Sequence, residues 1–158
     1  MKPSILSYNG LVMAGEFHFL EDVTLSDAAF EASGDSPSDL FTAAAHAVIE
    51  TMADPATVST QWKKTIEREE ENLADLLFEW LSAIVYVKDA EGVVFHGASA
   101  NVTEDRGQGR CRVQGRLAGE PINPQRHDLR ADPKAVTKHL YEVRQGGGRW
   151  MARVVLDI

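Results

Sequence analysis

The feature that most constrains this fold is a pair of β-type runs at the end of the chain, Lys134-Ala-Val-Thr-Lys-His-Leu-Tyr-Glu-Val-Arg144 and Arg149-Trp-Met-Ala-Arg-Val-Val-Leu-Asp-Ile158, joined across Gly146, Gly147 and Gly148. Two such runs flanking a glycine turn read as a β-hairpin. The last residue lies inside the pattern, so the terminus is expected to be held in a sheet. The Asp157 side chain and the α-carboxylate of Ile158 would then sit together at one strand end. A fixed cluster of negative charge of that kind asks for a cation.

Upstream, residues 16–20 and 28–32 read as short strands separated by the acidic, hydroxyl-rich stretch 21–27. Ser36, Pro37 and Asp39 supply an N-cap, a first-turn proline and an acid at the positive helix end. The helix they start carries Leu40, Ala44, Ala47, Val48 and Met52 at helical spacing and stops at Asp54-Pro55. Alternation over Val58, Thr60, Trp62, Lys64 and Ile66 predicts an amphipathic strand, with a charged turn from Glu67 to Glu71. Asn72 and Asp75 then cap a second helix whose Leu73, Leu76, Leu77, Trp80, Leu81, Ile84 and Val85 trace one face. Burying those side chains is worth about 1.5 to 3 kcal/mol each before entropy is subtracted. Beyond Gly92 the chain is β-rich, with Val93–Val102 and Arg110–Ala118 as strand partners. Pro121 and Pro124 bracket an irregular segment. Strands and helices that mix without regular βαβ alternation point to α+β: a single compact domain over residues 1–158, with 1–15 as a lead-in, mixed or antiparallel sheets and two main amphipathic helices.

Composition bounds the partners. A formal charge of −8 over 158 residues disfavours tight, direct nucleic-acid binding, which depends on displacing counterions from phosphates. Arg110, Arg112 and Arg116 share one parity of a strand and read as a solvated sheet face, with a phosphate site as the alternative. Cys111 is the only cysteine, which removes an intramolecular disulfide and cysteine-rich zinc sites and leaves it as a small core residue. No apolar run approaches the roughly 20 residues of a membrane span, and residues 1–10 lack a signal-peptide layout, so a cytoplasmic location is expected.

The sequence carries no GxxxxGK[ST], GxGxxG, HExxH, GxSxG or CxxC motif, and its five histidines form no helical ligand pair. His18, His46 and His96 read as surface or hydrogen-bonded residues. The carboxylates offer more. Asp27 ends an irregular loop just before a strand. If strand order brings it beside Asp157 and the terminal carboxylate, three acidic groups converge with oxygen donors only, which suits Ca²⁺ or Mg²⁺. Two carboxylates about 4 Å apart repel by about 4 kcal/mol at an effective dielectric of 20, a large share of a domain stability of roughly 5 to 15 kcal/mol. Compensation would come from a dication, a lysine such as Lys134, or a raised pKa on one acid. Separate, solvated aspartates are the alternative.

The blocks Gly119-Glu-Pro-Ile-Asn-Pro-Gln-Arg-His127, Lys134-Ala-Val-Thr-Lys-His-Leu-Tyr-Glu-Val143 and Trp150-Met-Ala-Arg-Val-Val-Leu-Asp-Ile158 resemble the archease family. The capped helix after Gly34-Asp35 and the run Asp75-Leu-Leu-Phe-Glu-Trp-Leu81 continue the match, which covers about residues 17–158. The resemblance implies a non-enzymatic accessory protein that activates an RtcB-type RNA ligase in tRNA splicing or RNA repair, promoting guanylylation and multiple turnover through an acidic site for Ca²⁺, Mg²⁺ or Mn²⁺. It carries metal binding to Asp27, Asp157 and the Ile158 carboxylate, and partner activation to Lys134, Glu120 and His127. Glu120 and His127 also suit a purely loop-organising role. One segment departs from the family pattern: Phe19-Leu-Glu-Asp-Val-Thr-Leu-Ser-Asp27 lacks the family's histidine, which makes Asp22 an alternative ligand, and Asn123 stands where an acid is common. A metal-dependent phosphoesterase using the same carboxylates, and a general chaperone of RNA–protein complexes, are the competing functions.

Overall fold

The computed structural model describes residues 4–8, 11–21 and 26–158. Among the described residues, eight strands and two long helices follow in the order β1 (Ser4–Tyr8), β2 (Leu11–Leu20), β3 (Asp27–Gly34), α1 (Pro37–Met52), β4 (Trp62–Glu70), α2 (Leu73–Glu91), β5 (Val93–Asp105), β6 (Arg110–Pro121), β7 (Ala135–Gly146) and β8 (Arg149–Asp157). A 3-10 turn at Pro55–Thr57 links α1 to β4. The strands form two antiparallel sheets, ordered β1-β2-β3-β8-β7 and β4-β6-β5. This is the α+β architecture expected from the sequence.

Both helices begin where side chains satisfy the first free backbone amides. Ser36 Oγ accepts from the Asp39 N–H at 3.1 Å. Asn72 Oδ1 accepts from the Asp75 N–H at 2.8 Å, and its own amide nitrogen donates to Asp75 Oδ2 at 3.0 Å. Gly92 ends α2 with φ +62°, a left-handed cap that glycine adopts without a Cβ penalty.

The helices lie between the sheets. α1 packs against β2, β3 and β5, while α2 packs against β4, β6 and β7. Twelve of the sixteen residues of α1 are buried, so it is covered all round rather than along a single stripe. Its alanines allow that close approach. Trp80 of α2 is fully buried, donates Nε1–H to the Phe41 carbonyl at 3.1 Å and lies over Gly115 of β6, where a Cβ would come within 2.2 Å of the ring.

Because α1 reaches the edge strand β5, its buried polar groups find partners there. Ser38 Oγ accepts from the Val102 N–H at 2.8 Å and Thr42 Oγ1 from the Ala100 N–H at 3.1 Å, while His46 Nε2 donates to the Ala98 carbonyl at 3.0 Å. Four helical residues rise about 6 Å and two strand residues about 6.6 Å, so every fourth residue of α1 meets every second residue of β5. His46 is thus a hydrogen-bonded core residue, and burial holds its pKa below the ordinary histidine value.

Two sequence expectations need correction. The strand predicted over Val58–Ile66 runs instead from Trp62 to Glu70, and the predicted charged turn is part of it. Glu67 and Glu69 are cross-strand partners of Gln114 and Arg112, so those charges serve sheet pairing. The strands expected over Val93–Val102 and Arg110–Ala118 both run further, to Asp105 and Pro121. The terminal hairpin turns as expected, with Gly147 and Gly148 at φ +60° and +76°.

Candidate functional site

The order β3-β8-β7 gathers residues from both extremes of the sequence. Asp27 is the direct cross-strand partner of Asp157, and Asp157 is in turn paired with Ala135 on its other side. The Ile158 N–H donates to the Ser26 carbonyl at 2.9 Å, and the Lys134 N–H donates to the Asp157 carbonyl at 2.7 Å. Three chain segments are therefore fixed together by main-chain bonds.

Phe30, Val154 and Leu156 face the helices and are fully buried, which places Asp27 and Asp157, at the opposite parity, on the outer face. Directly opposed residues have Cβ atoms about 4.5 to 5.5 Å apart, and like charges in that relation destabilise the pair. Asp157 is exposed, Asp27 half-buried and Lys134 exposed. Among the described residues, no group of three or more Asp, Glu, His or Cys side chains gathers to hold a metal. The two aspartates bring hard-oxygen chemistry to one spot. Asp22 lies outside the described residues.

Glu120 and His127 occupy a different setting. The Glu120 residue is only 2% exposed, and His127 is also buried. Glu120 Oε1 accepts from the Ser59 N–H at 2.8 Å and from His127 Nε2 at 2.7 Å, while Oε2 pairs with Arg126. His127 Nδ1 accepts from the Asn123 N–H at 2.9 Å, which assigns the proton to Nε2 and makes the ring a neutral relay. Burial, helped by the adjacent Arg126 guanidinium, holds the His127 pKa below its ordinary value. Asn123 caps this turn: its Oδ1 accepts from the Gln125 N–H at 3.1 Å.

This network fixes the segment that leads to Lys134. Further along, the Arg130 and Ala131 N–H groups donate to the Met52 and Thr51 carbonyls, each at 2.9 Å. Lys88 of α2 is buried, pairs with Asp132, and donates to the Pro133 carbonyl at 2.9 Å. Sequence reading missed Lys88 and Arg126. The signal for Lys88 was a lysine at the end of a helix most of whose neighbouring turns are apolar; for Arg126 it was a cation beside the Gly-Glu and His127 block.

The remaining candidates resolve simply. His96 Nδ1 donates to the Val58 carbonyl at 2.8 Å, and His18 sits 3.7 Å from Glu31. Cys111 is buried, and burial raises its thiol pKa. Among the described residues, no helix is long and apolar enough to cross a membrane.

Residues 17–158 match the model of the archease protein family (MTH1598/TM1083). The protein archease of Methanopyrus kandleri is 35% identical over 133 residues, covering 84% of this chain and 94% of that protein. The protein archease of Methanothermobacter thermautotrophicus is 33% identical over 138 residues, covering 87% and 95%. Among solved structures, that of Methanobacterium thermoautotrophicum protein 1598 superposes with a TM-score of 0.75 at 32% identity, covering 90% of this chain and 98% of the other. A Thermotoga maritima archease described as a possible chaperone shares the fold, with a TM-score of 0.56 at 19% identity and coverage of 89% and 98%.

Proposed function

The chain belongs to the archease family, and from that premise we propose that it is a metal-dependent accessory protein of an RtcB-type RNA ligase. The observation that carries this reading is the opposition of Asp27 and Asp157 on the outer end of β3 and β8, beside the backbone of Lys134. Folding sets two like charges against each other where neither is needed for the core. A hard dication such as Ca²⁺, Mg²⁺ or Mn²⁺, bound through oxygen, would relieve that repulsion.

In this proposal Asp27 and Asp157 hold the ion, with the Ile158 carboxylate as a further oxygen donor. The ion supplies positive charge for organising phosphate or nucleotide groups in the ligase active site. Lys134 stands at the rim as a partner contact, on a backbone fixed by the Asp157 carbonyl. Glu120 and His127 act through the loop they hold. Their side chains are turned inward and joined to each other, so their part is positioning, with no direct touch on a partner. The chain itself performs no bond-making step, and its assistance takes the form of faster ligase guanylylation and repeated turnover.

A multiple-turnover ligation assay with purified ligase tests this reading. Wild-type protein should accelerate guanylylation and joining, whereas Asp27→Ala, Asp157→Ala and Lys134→Ala should lose most of that acceleration with melting temperatures near wild type. Unchanged ligase turnover in the presence of wild-type protein, under conditions where a known archease accelerates it, would sink the assignment. Suppressed aggregation of unfolded clients, without any effect on the ligase, would instead favour the chaperone reading suggested by the Thermotoga maritima relative's description.

A further inference from the structure

The outer face of the small sheet is divided by charge. Toward the β5–β6 turn, Glu69 accepts from Arg110 Nε at 2.7 Å and from Arg112 at 3.0 Å, and Glu67 accepts from Gln114 at 3.3 Å. These groups answer one another. At the other end two cross-strand rows lie side by side, Thr65–Arg116–Ser99 and Lys63–Ala118–Gly97. All four polar residues in these rows are exposed, and among the described residues neither Lys63 nor Arg116 has an ion-pair or hydrogen-bond partner. The next lysine, Lys64, belongs to the opposite parity and is held by Glu91 at 2.7 Å.

The backbone hollows this end. The β5–β6 register shifts between Phe95 and Gly97, and Gly97 and Ala118 carry little side chain, leaving a depression of about 400 Å³. That volume lies within the range of small-molecule sites, about 300 to 1,000 Å³. Its polar lining offers the Arg116 fork, the Lys63 ammonium and two hydroxyls, besides Lys64, whose ammonium is held by Glu91; no carboxylate and no aromatic ring is among the lining residues. Arginine presents its donors in a plane that matches phosphate oxygens, and the flanking hydroxyls add donors for the same group. The floor is apolar and small, which suits the carbon skeleton of an ester. In a chain of net charge −8, two adjacent cations left without counter-charge add nothing to folding.

We propose that Arg116 and Lys63, with Thr65 and Ser99, form a binding site for the phosphate group of a small phosphate ester, whose organic part rests on Gly97 and Ala118. This site lies on the three-stranded sheet, whereas the carboxylate pair lies on the five-stranded one, and its assignment does not depend on the ligase reading.

The test is titration of the full chain with ribose 5-phosphate and, separately, with inorganic phosphate, followed by amide chemical shifts. Saturable shifts centred on Thr65, Gly97, Ser99 and Arg116, with the ester binding at least as tightly as inorganic phosphate, are expected. Arg116→Gln should weaken binding roughly tenfold or more, the loss typical of a hydrogen bond to a charged group. Lys63→Gln should weaken it less, and Arg112→Gln, on the same face but already paired, should leave it unchanged. Because neither cation has an ion-pair or hydrogen-bond partner among the described residues, both variants should melt like wild type. The proposal is overturned by absent or non-saturable shifts, by binding of inorganic phosphate without the ester, or by equal weakening in Arg112→Gln and Arg116→Gln.

Discussion

Two carboxylate centres in this molecule are built on opposite plans. At Glu120 a single carboxylate is sealed beneath protein, and its oxygens accept from Ser59, His127 and Arg126. At the end of β3 and β8 two carboxylates stand opposite one another on the outer face, one of them exposed. The first arrangement gains stability from its acid. The second puts like charges opposite one another in one cross-strand row on the outer face. The lesson is that motif membership alone does not separate positioning residues from contact residues; burial and hydrogen-bond saturation do.

The largest expected effect breaks the comparison at its buried side. Removing one partner of a buried pair typically costs about 3 to 5 kcal/mol, because the other is left uncompensated. Glu120→Ala should therefore lower the denaturation midpoint sharply, and a variant that unfolds with wild-type stability would show the network to be ornamental.

Acidification sharpens the same contrast. His127 and His46 are buried and neutral, with pKa values held below the ordinary one by burial. The unfolded chain then takes up protons more readily as pH falls below about 6.5, so stability present above that value is lost on acidification. Urea midpoints should be lower at about pH 5.5 than at about pH 7.5, and a flat profile would contradict the buried neutral rings.

The smallest effect belongs to the exposed side. Asp157→Asn removes the cross-strand repulsion and should raise stability by about 0.2 to 1 kcal/mol, measured in metal-free buffer. The same variant should bind a dication less well and activate the ligase poorly. A loss of stability on that substitution would mean that Asp157 serves the fold after all.

Local chemistry made much of this legible from the residues alone. Ser36 with Asp39 and Asn72 with Asp75 marked both helix starts, and the glycines at 147 and 148 marked the hairpin. What escaped was decided at a distance. Periodicity in α1 suggested a single buried face because a sequence window does not reveal that a second sheet covers the helix. Glu67 and Glu69 looked like a solvated turn because their partners, Gln114, Arg110 and Arg112, lie far along the chain. At the acidic end the residue types pointed to Asp27 and Asp157, but only strand order could make them opposite neighbours. Glu120 and His127 were legible as a block, while their inward orientation depends on Ser59 and Asn123, which no spacing rule connects.

The row formed by Ser38, Thr42 and His46 has a consequence for how this domain tolerates change. By answering alternate main-chain groups of β5, the helix stands in for a fourth strand and closes a border that would otherwise invite another chain to add itself. Inserting one residue within α1 would rotate everything beyond it by about 100° and uncouple those links together. Length variation in this protein should therefore gather in its turns, while the phase of this helix stays locked to the strand beside it.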